Sequence, residues 1–448
     1  MSPRLQKLLV LLAVLLFAAP SRGQESLDAM IARELDALVS TYKYLHSHPE
    51  LSYYEKESAG YLAGELRTLG FEVTENVGDY RVPGRTSYGL VAVLKNGEGP
   101  TVMVRTDLDA LPVEEKTGLP YASRVKTQTD EAEVSVMHAC GHDLHMTSFL
   151  GTAKMLSQLQ DRWAGTLVMI GQPAEERGAG AWAMLQGGLY SRFPKPAMAL
   201  ALHTNPNLEA GTVGYREGYA LASADAVDIT IRGSGGHGAY PQTTKDPIVI
   251  AAQLILALQT IVSREVNPLD PAVVTVGAIH AGTKHNIIPD EARLQLTVRA
   301  YKPEVRRKVL LAIERITQGI AAAAGVPPDR APTVTLADEE FTPSTYNNPE
   351  LTRRAVSALK SALGPDNVVA TDPVMAAEDF GRYSLEGNQI PIFIFWLGAV
   401  DPLRLREAQE KGTSLPSLHS SKFAPLPEPA IRTGVKAMTA VVLDLMKK

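Results

Sequence analysis

Apolar residues recur every three or four positions at Leu35, Leu38, Tyr42 and Leu45, and again at Tyr61, Leu62, Leu66 and Leu69. That spacing follows the helical turn, so the stretch 28–69 is predicted as two amphipathic helices with one face against a core. Further on the pattern changes to short unbroken apolar runs at 88–94, 101–104, 167–170, 197–202 and 392–396. A strand covered on both faces has no polar side to alternate with, so these runs read as buried strands. Helical stretches such as 146–159 lie between them. Alternation of runs and helices argues for an α/β layer: a mixed, largely parallel sheet with flanking helices.

A third texture occupies 222–325. Val227, Ile229 and Ile231 alternate with Asp228, Thr230 and Arg232, and Leu294, Leu296 and Val298 alternate with Arg293, Gln295, Thr297 and Arg299. A period of two with one wet side is the mark of antiparallel strands solvated on one face. Helices at 248–262 and 303–324 complete a strand-helix-strand-strand-helix unit. The expected organisation is an α+β domain over 215–333 inserted into a larger domain made of 24–214 and 334–448, with hinges at 211–218 and 327–332.

At the N-terminus, Arg4 and Lys7 precede an apolar run over 8–19, and Pro20, Ser21, Arg22 and Gly23 follow it. Charge, short apolar stretch and small residues in that order read as a signal peptide over 1–23, so the expected protein is exported, periplasmic or secreted. The run is shorter than the ~20 residues of a spanning helix, and no stable membrane insertion is expected after cleavage. Across 448 residues, 45% hydrophobic and 21% charged composition supports a large core and excludes a disordered or coiled-coil chain. The balance of 44 Lys+Arg against 49 Asp+Glu is −5 and becomes −8 without residues 1–23. No basic footprint exists for a nucleic acid. Cys140 is the single cysteine, so no intrachain disulfide can form and the thiol needs another purpose.

The chemistry is densest in His138-Ala139-Cys140-Gly141-His142-Asp143-Leu144-His145. A metal site is the leading reading, because a thiolate and an imidazole two residues apart in a glycine-containing loop can turn toward one ion. A nucleophilic Cys-His pair and a helix cap beside a buried cysteine are the alternatives, and Asp143 could cap the helix that follows. Downstream, the apolar strand at 167–170 runs through Gly171-Gln172-Pro173-Ala174 into Glu175 and Glu176. Open α/β sheets place their sites at such strand ends. Neighbouring side chains on extended backbone point apart, so one carboxylate could bind a metal while the other faces a substrate. His203 closes the run ending at Leu202, His419 sits in Ser417-Leu418-His419-Ser420, and Asp107 and Asp109 follow the strand from Thr101. Each alone reads equally as a turn residue; the two aspartates could also orient a ligand from behind it.

Four further stretches complete the set: Leu45-His46-Ser47-His48-Pro49-Glu50-Leu51, Gly235-Gly236-His237-Gly238-Ala239-Tyr240-Pro241, Asn286-Ile287-Ile288-Pro289-Asp290 and Ala377-Glu378-Asp379-Phe380. In order and wording these motifs resemble the co-catalytic metallopeptidase superfamily of aminoacylases and related carboxypeptidases. The resemblance is closer to its amidohydrolase branch of plant indoleacetyl-amino-acid hydrolases, bacterial hippurate hydrolases and N-acyl-amino-acid deacylases. It implies Cys140, His142, Glu176, His203 and His419 as ligands of two divalent ions (Zn, Mn, Co or Ni), and Glu175 as the base that deprotonates a metal-bound water. It implies an orienting role for Asp109, a place on the scissile carbonyl for His237, often in the neighbouring subunit's site, and contacts to the substrate's carboxylate end for Asn286 and Arg299. Glu378 falls near the pocket. The inserted domain would be a ferredoxin-like lid that also forms a homodimer.

The resemblance therefore implies a metal-dependent amidohydrolase acting on an N-acyl amino acid or short peptide-like amide with a free carboxylate. A dipeptidase or carboxypeptidase with free-amine substrates is the near alternative, and a non-catalytic exported metal- or ligand-binding protein the distant one. The chain departs from the branch at Ser420, at Ala376-Ala377 and in the long acidic loop over 123–136.

Overall fold

The computed structural model describes residues 25–80, 84–130, 132–337, 341–385 and 389–448. The expected signal segment, 1–23, lies outside the described residues. The chain opens with α1 (Leu27–Ser47) and α2 (Lys56–Thr68), then lays down β1 (Glu72–Thr74), β2 (Leu90–Asn96), β3 (Thr101–Asp107), α3 (His142–Gln158), β4 (Gly165–Gln172), β5 (Met198–Glu209) and β6 (Val213–Tyr215). The inserted unit follows as β7 (Ser223–Arg232), α4 (Pro247–Thr260), β8 (Ala272–Ala281), β9 (Glu291–Ala300), α5 (Pro303–Ala323) and β10 (Thr333–Leu336). The chain then returns through α6 (Pro349–Leu363), β11 (Val368–Ala370), β12 (Ile392–Val400) and α7 (Pro427–Leu445). Helix starts follow the local chemistry: the Ser26 hydroxyl, Asn348 carboxamide and Asp246 carboxylate each accept a first-turn amide, and Pro follows Asn348 and Asp246 at the first helical position.

Among the described residues the large sheet runs β1-β2-β4-β3-β5-β12-β6-β11. Its centre, β4, β3, β5 and β12, is parallel, while β2 runs against β4 and β6 against β12. The expected mixed, largely parallel α/β layer is what the chain forms. Inside the unbroken apolar runs a period of two is still at work. Leu90, Ala92, Val102, Val104, Leu200 and Leu202 belong to the core shared with α1, α3 and α7, whereas Val91, Val93, Met103, Ala199 and Ala201 belong to the core that holds Met184, Phe380 and Tyr383. Both faces are covered, so no polar alternation is available to the sequence.

The inserted unit has its own antiparallel sheet, β8-β9-β7-β10. Val227 pairs with Leu296 and Ile229 with Leu294, and these side chains share a core with Ile250, Leu254, Val309 and Ile313 of α4 and α5. Asp228 pairs with Gln295 on the wet face. The segment just before it, Gly218–Leu221, pairs with Thr345–Asn347, and its Ala220 and Leu221 join the core of the larger domain. The parallel strands bring Asp107 opposite Gln172 and His203 opposite Trp396, and this edge of the sheet carries the chemistry.

Candidate metal centre and active site

The loop before α3 turns at Gly141, whose φ of +84° is left-handed and whose absent Cβ would stand 2.9 Å from Thr204 Oγ1. Glycine meets both that conformation and that close approach. The turn places Cys140 Sγ 3.6 Å from His203 Nε2 and presents His142 from the first turn of α3. Nδ1 of His142 donates to the Asp109 carbonyl at 2.7 Å, which leaves Nε2 facing the site. Among the described residues that Nε2 has no hydrogen-bond partner, and it lies 3.8 Å from Glu175 Oε2 and 3.9 Å from Glu176 Oε1. Glu176 Oε1 is unpartnered too, and its Oε2 lies 3.4 Å from His419 Nε2. Cys140, His142 and His203 form one converging set and Cys140, Glu176 and His419 a second, each with ligand atoms within 4.8 Å of one another. Buried polar atoms without partners are costly, and a soft thiolate with imidazoles and a carboxylate is a transition-metal donor set. The five expected ligands thus stand together and fit divalent metal ions.

Carboxylates dominate the surroundings. Glu175 is buried, and its carboxyl is pushed well above the usual range by burial, then by the nearby Glu378, Glu176 and Asp379. Burial likewise raises Glu176, to about 7. Asp109 accepts from the Ser52 hydroxyl at 2.6 Å and from the Glu176 amide at 3.0 Å, so it fixes Glu176 while its carbonyl fixes His142. Asp107, in contrast, pairs with His145 at 2.7 Å and accepts from Arg105 at 2.8 Å. Arg105 is fully buried and also binds Glu378 at 2.7 Å and Asp379 at 3.2 Å. Its one signal in the sequence is a lone charge inside an apolar strand, and no motif marks it. His46 is a second buried charged group without an expected role, enclosed by Asp143 at 2.7 Å and Glu115 at 3.1 Å.

A cavity of about 730 Å³ lies over the site, lined by Cys140, Glu175, Glu176, His203, Glu378 and His419 from the larger domain and by Arg299 from β9. Arg299 is half-buried, bonds Thr297 at 3.2 Å and forms no ion pair among the described residues. His237 and Asn286 do not line this cavity. They sit on neighbouring segments of the inserted domain, with His237 opposite Ile287 and the Gly238 amide on the Asn286 carbonyl at 2.9 Å, and both residues are exposed. The long loop over 123–136 contains a short hairpin, Lys126–Gln128 with Glu133–Ser135.

The model of peptidase family M20/M25/M40 matches residues 103–443. The chain is 35% identical over 416 residues to thermostable carboxypeptidase 1 of Saccharolobus solfataricus, covering 92% of this chain and 96% of the relative. It is 36% identical over 367 residues to N-acetylcysteine deacetylase of Bacillus subtilis, covering 81% and 88%. A solved Bacillus subtilis structure, described as a dinuclear metal binding peptidase from the M20 family, superposes with a TM-score of 0.72 at 30% identity, covering 93% of this chain and 99% of that one.

Proposed function

We propose that this chain, which belongs to peptidase family M20/M25/M40, hydrolyses the amide bond of N-acyl amino acids that carry a free carboxylate. The observation that carries the reading is the pairing, across one cavity, of converging ligand atoms, two of them (His142 Nε2 and Glu176 Oε1) unpartnered, with a half-buried arginine that forms no ion pair among the described residues. Cys140, His142, Glu176, His203 and His419 would hold two divalent ions, and the mixed sulfur, nitrogen and oxygen donors suit Zn, Mn, Co or Ni. Bound there, such ions polarise an amide carbonyl and acidify a water. Glu175, beside the ligands but not needed among them, takes the water's proton and delivers it to the leaving nitrogen. Asp109 holds both His142 and Glu176 in register for this. Arg299 grips the substrate carboxylate through its planar fork, and Glu378, held by Arg105, forms part of the cavity wall.

The reading includes a homodimer through the inserted domain. β8 is the edge of its sheet, and Leu256 (73% exposed), Val249, Ile279 and Ile287 are exposed apolar residues of the same domain. An edge strand with apolar neighbours is suited to pair with a second copy. His237 and Asn286 are exposed next to Ile287, which supports their service in a partner's cavity. The N-terminal charge and apolar pattern supports export to the periplasm or beyond.

Glu175→Gln tests the core of the proposal. The variant is expected to keep its metal content, measured by plasma mass spectrometry, and to lose turnover on N-acyl amino acids; full turnover would remove Glu175 as the base. Comparing N-acetyl dipeptides with free dipeptides separates a deacylase from a free-amine peptidase.

A further inference from the structure

The stretch around Pro49-Glu50-Leu51 supplies no metal ligand, yet it leads into a fully buried carboxyl group, that of Glu55. The chain reaches Glu55 through Tyr53, whose φ of +74° is a left-handed conformation that an aromatic residue rarely adopts. Glu55 stands immediately before α2, where a side chain ordinarily caps the helix, but it makes no capping bond. Glu50 caps the helix instead, accepting the Glu57 and Ser58 amides at 3.0 and 2.7 Å. The Glu55 side chain turns to a different segment, and its Oε1 accepts the amide of Ala174 at 2.7 Å. Its Oε2 has no hydrogen-bond partner among the described residues, and burial, then the charge of Asp109, pushes the carboxyl well above its usual range.

Ala174 lies between the end of β4 and Glu175, and its φ of +49° and ψ of +43° are again left-handed. A residue with a Cβ takes that conformation at a cost and keeps it only where its surroundings over-determine it. Here the methyl group is buried in a cluster with Tyr80 and Ala183, the carbonyl accepts the Ala179 and Gly180 amides at 3.2 and 3.1 Å, and the amide is held by Glu55. The turn bends the chain from β4 into the single helical turn Glu175–Arg177, and so sets where Glu175 Oε2 stands, 3.8 Å from His142 Nε2. On the other side of Glu175, Asp109 accepts the Glu176 amide at 3.0 Å. The amides that flank Glu175 are thus each held by a buried carboxyl group, Glu55 before it and Asp109 after it. We infer that Glu55 is a positioning residue for Glu175, and that its bond to the Ala174 amide keeps the left-handed turn that aims the base at the ligand set. The inference rests on the reading of Glu175 as base given above.

The test uses the full metal-loaded enzyme and an N-acetyl amino acid. Glu55→Leu removes the acceptor at similar bulk, and it is expected to lower kcat about a hundredfold, the scale of a misplacement by about 1 Å, while KM and metal content by plasma mass spectrometry stay near wild type. Glu55→Gln keeps an acceptor oxygen at the same reach and should retain most of the wild-type kcat. Glu55→Asp keeps the acid but draws it back by one methylene, so it should be slow like the leucine variant. Glycine takes left-handed angles without the penalty, so adding Ala174→Gly to Glu55→Leu should recover kcat by roughly tenfold. A merely structural role predicts neither that recovery nor glutamine above aspartate. Wild-type kcat in Glu55→Leu, a fall in its metal content that matches the fall in kcat, or no recovery in the double variant overturns the inference. If Glu55→Leu does not fold, the shorter comparison decides: Glu55→Asp at wild-type kcat, or Glu55→Gln as slow as Glu55→Asp, overturns it. Full turnover by Glu175→Gln overturns the reading of the base and the inference with it, whereas lost turnover there beside undiminished Glu55 variants overturns the inference alone.

Discussion

His46→Gln is expected to destabilise the protein by about 3 kcal/mol at mildly acid pH and to remove a specific piece of its pH dependence. The two ring nitrogens of His46 lie 2.7 Å from an Asp143 oxygen and 3.1 Å from a Glu115 oxygen, and all three side chains are almost fully buried. A ring that donates from both nitrogens is an imidazolium. Burial alone would lower its pKa, but the bonds to Asp143 and Glu115 outweigh that and raise it from 6.5 to about 9. At roughly 1.4 kcal/mol per unit the shift corresponds to about 3 kcal/mol, close to the ~3–5 kcal/mol lost when one partner of a buried pair is removed. The sign follows from the raised value. The contribution is complete below 6.5, where both folded and unfolded states hold the proton, and is lost as pH rises through about 9. Asp143 and Glu115 are held below their ordinary range, so their contribution is lost only in acid and does not enter this window. Urea unfolding of metal-loaded wild type and variant at about pH 6, 7.5 and 9 should show the gap between them narrowing as pH rises. An equal gap at all three values would mean that His46 holds no extra proton in the folded state.

Gly141→Ala should cost about 2 kcal/mol or more, since it puts alanine in a left-handed conformation with its Cβ only 2.9 Å from Thr204 Oγ1, and it should lower the metal bound per chain; unchanged melting and metal content would refute the need for that turn. Removing metal with a chelator should abolish turnover reversibly and lower the melting temperature, by the equivalent of roughly 4 kcal/mol if free metal had stood at about a thousand times its Kd; a melt unchanged by chelation would contradict the ligand assignment. Arg299→Ala should raise KM for N-acyl amino acids about tenfold or more and have little effect on the matching carboxamides; an equal loss on both would place Arg299 outside carboxylate binding. Leu256→Asp with Ile279→Lys should yield monomers in sedimentation, and a dimer that persists would place the interface elsewhere.

The layers and the Cys-His cluster of the candidate site are legible in the sequence because they rest on local pattern. The strand runs, the wet antiparallel face of the inserted unit and the loop with Cys140 and His142 each announce themselves within a short stretch of chain. What stays hidden depends on distant partners. Arg105 reads as an interruption of a strand until Glu378 and Asp379 are brought to it from far along the chain. His46 lies in a recognisable motif, but its carboxylates come from two other segments. The strain at Tyr53 has no local signature, because the residue in the left-handed turn is neither glycine nor asparagine. α4 reads as a core helix by its spacing. Ile250, Leu254 and Leu258 are indeed buried, while Val249 and Leu256 are exposed, and only the fold separates those two sides.

The charges at the strand edge explain why the site is suited to cations. Asp107, Asp109, Glu175, Glu378 and Asp379 are all buried, with Glu176 close to them, and Arg105 and His142 answer only part of that charge. An unbalanced carboxylate in a low-dielectric interior either finds a cation or keeps its proton. Without metal, Glu176 and Asp379 are both raised to about 7 and Glu175 well above its usual range, so the cluster holds protons at neutral pH. On the proposed reading, divalent ions held by Cys140, His142, Glu176, His203 and His419 would take over that role, and the thiol, the carboxyl group and the His142 imidazolium would give up protons to them. Metal loading is therefore coupled to proton release. Positive charge beside Glu175 would also offset the burial and the neighbouring carboxylates that hold its proton, so its proposed service as base would belong to the loaded site rather than to the bare fold.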